Sequence, residues 1–534
     1  MSITFNPLLW LFAIIPIISL LIMMVGFQWG AKKAAPIGLL LAILNGFLVF
    51  KAPLDLIAYE AIKGIWSAVI VLLIVWPAIL LYEIVHKVDA FHVIRQGIQK
   101  YTPNQLIQVL ALGWCFTSFL QGITGFGVPV AVGAPLLIGI GVNPISAVII
   151  PLIGNAWAGT FGTLAVAWDA LILQTNLVAN PTLYAQTALF AALFIWIWNL
   201  IIGLSITWIY GGISAIKKGL IAILVISLIQ GGGQLLLVQY NTTLSAFIPS
   251  LLALISIFFL SKAKHYSSPW KLEKNNIMMI DQTNKSLEVK NNMSLIQAFV
   301  PYLFLTGITL IVLLVPPIKE LFSTLKFGLS FPKTSTGLGY INDAIGSYSP
   351  IYPFTNAGFF LLASSIIAYI YYSRKKMISV IDGKKILKLS IQKTLPSAIA
   401  VTCFVTMSRI MSGSGQILIL AQGIASFLGN AYGLFTPLVG MLGAFMTSSN
   451  MASNILFGEF QQTTAKILSL NVAAILGAHT AGGAVGTAIA PGNIILGTTT
   501  AGILGQEGLI LKKLLPITLS ATLIIGIVLI IILL

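Results

Sequence analysis

Charge is what this sequence has least of. Of its 534 residues 8% are Asp, Glu, Lys or Arg, against about a quarter in an ordinary soluble domain. With 58% hydrophobic residues and a mean hydropathy of +0.99, that shortage excludes a dominant soluble domain. Cysteine is nearly absent too: Cys115 and Cys403 both lie in apolar runs, which excludes a disulfide framework, and four histidines without clustering call for no metal. No HExxH, GxSxG or GxxxxGK[ST] pattern occurs, so neither hydrolytic chemistry nor ATP-driven transport by this chain is indicated, and no cofactor is required. Basic residues outnumber acidic ones 29 to 13. They sit in short loops between apolar runs, which marks membrane topology rather than a nucleic-acid surface.

What is present is apolar length. At about 20 residues per crossing, the runs supply about 12 to 14 transmembrane segments, re-entrant pieces included, and the fold class is an all-α polytopic membrane protein. A retained span covers residues 8–27, since no charged leader or small-residue cleavage site surrounds it. Lys32 and Lys33 then place their loop inside and the N-terminus outside. Spans near 36–50 and 64–84 follow, then an interfacial helix from His86 to Lys100. Trp196, Trp198 and Trp208 read as an interface belt, and Gly231-Gly232-Gly233 as a kink between two scaffold spans over 218–261.

Residues 262–293, rich in lysine and without period, read as a cytoplasmic linker between a first half, 1–261, and a second, 294–534. The second half opens with a span over 295–315 and continues with a polar, external loop over 317–352. The basic run at Arg374-Lys375-Lys376 marks the inside again, and a helix over 514–534 closes the chain.

Two stretches break the apolar pattern. Phe119 to Thr163 is apolar enough for a bilayer, yet Gly122, Gly125, Gly127, Pro129, Gly133 and Pro135 interrupt any helix through it. Phe445 to Thr487 has the same character. Interrupted backbone at membrane depth must line a cavity or be buried in protein, because lipid satisfies no free N–H or C=O. The two stretches also match each other: Gln96-Gly97-Ile98 recurs 326 residues later as Gln422-Gly423-Ile424, and Gly159, Gly162 and Thr163 meet Gly483, Gly486 and Thr487 at 324. The repeat cores run over about 83–170 and 409–505. Paired interruptions in two halves point to a transporter's binding site.

Hydroxyls and amides dominate both stretches. Gln121, Thr124, Gly125, Gly127 and Asn155 in the first, and Thr447, Ser448, Ser449, Asn450, Asn454, His479 and Thr480 in the second, are the candidate substrate-binding residues. Neutral donors and half-helix N-termini suit a small anion. The competing reading of any one hydroxyl is a bond to its own helix or a tie between helices. His479 falls opposite Asn155 in the repeat and is either a satisfied core histidine or, as an ionisable group in this company, a functional one. Arg409 either snorkels at a span end or pairs with a carboxylate, that of Glu83 at the equivalent position or that of a substrate.

At GFGVPVAVGAPLLIGIG, LIGNAWAGTFGT, SRIMSGSG, FMTSSNMASNILF and GAHTAGGAVGTAIAP the chain resembles the lactate permease family of secondary transporters. The resemblance implies a multi-pass permease of the cytoplasmic membrane carrying lactate or glycolate by proton symport, with the broader ion-transporter architecture of two inverted repeats, each with a re-entrant hairpin or broken helix. Where the family reads EGxxGFG and GSDTSSN, this chain has Gln121 and Asn450 in place of carboxylates, and Thr487 stands where lysine is common. His479 is then the coupling candidate. An exchanger or a carrier coupled to another ion is the alternative; a channel and a membrane-embedded enzyme are more distant ones. The oligomeric state, the acid carried and the direction of flux stay open.

Overall fold

The computed structural model describes residues 3–27, 29–125, 127–270, 277–279 and 293–534. Most of the expected linker, 271–276 and 280–292, therefore lies outside the described residues.

Asn6 accepts a hydrogen bond from the Leu8 N–H and opens α1 (Pro7–Leu21), which runs into a π turn at Ile22–Gly26. α2 (Ala31–Leu48) and the 34-residue α3 (Leu54–Lys87) follow. α4 (Ala90–Tyr101) stands where the interfacial helix is expected. α5 (Gln105–Leu110) and α6 (Thr117–Ile123), joined by a π turn, lead to the first break. Beyond it come α7 (Val128–Gly139), α8 (Pro144–Gly154) and α9 (Gly162–Thr175). α10 (Pro181–Ser227), α11 (Gly233–Leu237) and α12 (Phe247–Lys262) complete this half.

α10 is folded on itself. Gly211 and Gly212 leave helical geometry, Gly212 at φ +64°, and the chain returns so that Gly203 faces Ile223 and Gly219 faces Thr207. Trp196, Trp198 and Trp208 do not form the expected interface belt. Trp198 is fully buried, and Trp196 donates to Ser227 Oγ at 3.2 Å while its ring fills the space beside Gly231. Trp208 alone of the three is exposed.

In the second half Ser294 and Gln297 form a capping box for α13 (Leu295–Leu314), and α14 (Pro316–Ser323) follows. The expected loop then differs from expectation: β1 (Phe327–Phe331) pairs antiparallel with β4 (Ile345–Ile351), and β2 (Thr334–Ser335) with β3 (Ile341–Asn342). The hairpins are pinned by aromatic contacts, Phe331 edge-on to Tyr59 and to Tyr348, and by a Ser67–Tyr348 hydroxyl bond of 3.2 Å. α15 (Ala357–Arg374), α16 (Val380–Gly413), α17 (Gln416–Leu428) and α18 (Tyr432–Thr447) lead to the second break. α19 (Asn450–Ile467), α20 (Val472–Thr487), α21 (Pro491–Thr500) and α22 (Glu507–Leu533) follow. Among the described residues nine helices are long and apolar enough to cross a membrane, α10 with its continuation counted once.

The repeat is an architectural fact. The offset of 326 carries both ends of α2 onto both ends of α15, and both ends of α3 onto both ends of α16 (380 − 54 and 413 − 87 are each 326). α3 and α16 run antiparallel: Trp76 Nε1 donates to Ser390 Oγ at 3.2 Å, while Arg409, near the other end of α16, meets Glu60 near the start of α3. Equivalent helices packed in opposite directions make the repeat inverted. At their crossing Gly64 lies so near Thr406 that an added Cβ would stand 2.5 Å from its Cα.

Candidate functional site

Both breaks have a local cause. α6 ends at Ile123, Gly125 and Gly127 take φ of +51° and +81°, and Pro129, which has no N–H to lose, starts α7. In the second half Ser448 takes φ +57°, and Ser449 caps α19 by accepting from the Ala452 N–H at 3.3 Å. The break after α8 is sharper still: Thr163, Leu164 and Ala165 all have φ between +51° and +70°. Such a left-handed run costs about 1–2 kcal/mol per residue and persists only where the surroundings impose it.

The breaks meet. Gln121, Gly127, Asn155, Thr163, Ser448, Ser449, Asn450, Thr487 and Asn493 border one cleft of about 530 Å³, part of it open to solvent. Gly127 packs on Leu496 and Asn493 of α21, and the Gly492 N–H donates to Ser448 Oγ at 3.0 Å. The starts of α7, α19 and α21 thus converge there, opposite the left-handed turn that opens α9. Among the described lining residues none is charged. A cleft with no charge of its own and three helix N-termini around it presents partial positive charge to whatever enters.

The other sequence candidates stand around this cleft in different ways. Asn450 Nδ2 donates to Thr160 Oγ1 at 3.0 Å and to the Thr480 carbonyl at 3.1 Å, while its Oδ1 is buried and accepts no hydrogen bond among the described residues. Asn454 Nδ2 donates to the Ala167 carbonyl and to Thr480 Oγ1, so Asn454 and Thr480 form the wall behind. The Thr124 and Thr447 hydroxyls bond their own helices, at Leu120 O and Gly443 O. Asn155 lines the cleft and donates to the Pro151 carbonyl. His479 does not line it, although the repeat equates the two residues: α8 unwinds at Asn155, whereas α20 continues through His479 and turns it toward Gln461, whose Nε2 lies 3.3 Å from Nδ1. Asn493 was not singled out in the sequence, although Pro491 signals the helix start that carries it.

Arg409 is paired with neither Glu83 nor a free site. Its Nη2 and Nε donate to Glu60 Oε2 at 3.0 and 3.3 Å, and Glu83 is taken by Lys393. Glu60, 1% exposed, also accepts from Lys63 Nζ at 2.6 Å. Arg409 Nη1 lies 3.6 Å from Glu459 Oε2, and Ser412 donates to Glu459 Oε1. Lys63, Arg409, Ser412 and Glu459 border a second, polar cavity of about 1160 Å³ under the hairpins, part of it open to solvent, with Glu60 behind them. Burial, then the Glu459 carboxylate, push the Tyr340 hydroxyl beside it up to about 12. Glu60 and Lys63 escaped the sequence reading because they lie outside the interrupted stretches; two charges three apart in an apolar helix were their signal. A third, mostly apolar groove of about 1000 Å³ shares Ser448, Ser449 and Asn493 with the first cleft and reaches Gly30–Lys32.

A family model described as L-lactate permease matches residues 10–534. An L-lactate permease of Halalkalibacterium halodurans is 27% identical over 94% of this chain and 92% of that protein. An L-lactate permease and the glycolate permease GlcA of Escherichia coli (strain K12) are 25% and 26% identical, each over 97% of this chain and 94% of theirs. Among solved structures, the Alcanivorax borkumensis YdaH transporter aligns with 86% of this chain and 84% of its own at 12% identity, with a TM-score of 0.43.

Proposed function

The chain belongs to the L-lactate permease family, and on that premise we propose that it is a secondary transporter of a small 2-hydroxy monocarboxylate, lactate or glycolate, working by proton symport in the cytoplasmic membrane. The observation that carries the reading is the uncharged cleft at which the starts of α7, α19 and α21 converge. An anion held by helix ends and hydroxyls binds without a fixed counter-charge, which leaves it free to move on. The carboxylate sits against Ser448, Ser449, Thr163 and the start of α19. The 2-hydroxyl donates to Asn450 Oδ1, a buried acceptor that no group among the described residues uses. The groove to Gly30–Lys32 opens this cleft to the side where basic loops belong, the cytoplasm. The N-terminus and the hairpins then lie outside, and residues 262–293 link two transmembrane halves on the inside.

Counterflow of labelled lactate in proteoliposomes tests the carrier reading, since a channel gives none. Propionate, which lacks the hydroxyl, should compete at least about tenfold less well, because it leaves a buried acceptor unpaired. Equal competition would remove Asn450 from substrate recognition.

A further inference from the structure

The second cavity holds an asymmetry between its two acids. Glu60 accepts three N–H bonds from two cations and is fixed as a carboxylate. Among the described residues Glu459 has one hydroxyl bond, from Ser412, and its Oε2 is buried without a hydrogen bond, 3.6 Å from Arg409 Nη1. The four charges of Glu60, Lys63, Arg409 and Glu459 sum to zero. A proton alone would leave the cluster at +1 and an entering carboxylate alone at −1, each an uncompensated charge on largely buried groups; the two together restore neutrality. Such a cluster binds a proton and an anion cooperatively.

We propose that Glu459 takes up the transported proton, and that this frees Arg409 Nη1 to receive the substrate carboxylate in the cavity, a second anion position on the pathway; the proposal rests on the symport reading above. The proton passes from water in the cavity to Glu459 Oε2, no covalent bond to substrate forms, and the substrate carboxylate replaces that of Glu459 beside the guanidinium. The position is on the route to the first cleft. α9 and α19 run side by side and parallel, tied by Asn454 to the Ala167 carbonyl and by Gln462 to the Thr175 carbonyl. The first cleft lies at their N-terminal ends and the cavity at their C-terminal ends, about 12 Å along the helices for eight residues.

The surroundings leave the proton few other places. Facing Glu459 are Arg409 and Ser412 on α16, Glu60 and Lys63 on α3, and Tyr340 and the exposed Asp343 between the hairpin strands. Lys466 acts from farther along α19 itself. Tyr432 on α18 and His479 on α20 meet Gln461, on the opposite side of α19. α9 contributes Gln174 and Asn176, which do not titrate, to the cavity; its Asp169 lies more than a turn nearer the first cleft. α17 brings no titratable side chain.

The test uses the full chain in proteoliposomes with the inside alkaline. The parent should accumulate labelled lactate, and Glu459→Gln should accumulate about tenfold less or none. Its counterflow KM should lose the rise with pH that the parent shows as Glu459 ionises. Equal accumulation by Glu459→Gln and parent overturns the assignment and leaves symport standing; no accumulation by the parent overturns both. Should Glu459→Gln fail to fold, Ser412→Ala decides: it removes a bond to the ionised form, so the pH midpoint of KM should move up by about one unit. An unmoved midpoint overturns the proposal, as does accumulation lost in His479→Gln and kept in Glu459→Gln.

Discussion

Glu60 and Glu83 sit on the same helix, both almost fully buried, yet they stand in different energetic positions. Glu60 holds Lys63 and Arg409, whose side chains are 4% and 12% exposed; the partner of Glu83 is Lys393, 50% exposed. Removing one member of a buried pair costs about 3–5 kcal/mol, because the charge left behind has no water. A pair with one solvated member contributes about 0–1 kcal/mol. Glu60→Gln should therefore lower the thermal midpoint of the detergent-solubilised protein clearly, and Glu83→Gln should barely move it. Similar shifts for the two would mean that the Glu60 cluster is more hydrated than its contacts imply. Gly127→Ala is the corresponding test of the cleft. An added Cβ would lie 2.6 Å from Leu496 Cδ2 at a backbone φ of +81°, so lactate uptake should fall at least about tenfold at about 1–2 kcal/mol of strain; uptake within a factor of two of the parent would show that the break is pliant.

Among elements, α3 and α16 govern the geometry, since one carries Glu60 and the other Arg409, and their close crossing depends on the missing side chain at Gly64. Leucine there meets the Thr406 backbone, 2.5 Å from the first added carbon, and has no flexible neighbour to displace. Gly64→Leu should abolish uptake and lower the thermal midpoint. Gly307→Ala on α13, where nothing lies within 4 Å of an added Cβ, should be neutral or gain up to about 1 kcal/mol from helix propensity. The reverse order would refute the packing. The duplication behind this pair was legible because Gln96-Gly97-Ile98 and Gln422-Gly423-Ile424 keep the register in which both helices repeat. The hairpins over 327–351 were not, since their Gly, Ser and Pro content reads as loop, and the partners that order Phe331 and Tyr348, Tyr59 and Ser67, lie far away in sequence. His479 was misplaced for a related reason. An alignment equates positions, but only the structure shows that α8 unwinds at its copy of that position and α20 does not.

For the whole molecule, the two polar spaces lie at opposite ends of the α9–α19 pair, one continuous with the groove to Lys32 and the other covered by the hairpins. A carrier must expose its site to one face at a time, and in this state Ser449 at the cleft and Ser347 at the cavity under the hairpins should answer to opposite faces. With the partly exposed Cys403 replaced by serine and the buried Cys115 retained, Ser449→Cys should react with a membrane-impermeant maleimide in inside-out vesicles and be protected there by lactate. Ser347→Cys should react in right-side-out cells. Saturating lactate with an imposed pH gradient redistributes the two states, since a ligand shifts an equilibrium by its differential affinity for them, so Ser449→Cys should gain some reactivity from outside during turnover. Labelling of both positions from the same face, with and without lactate, would place the cleft and the cavity on one side of the membrane and end the reading of α9 and α19 as the path between them.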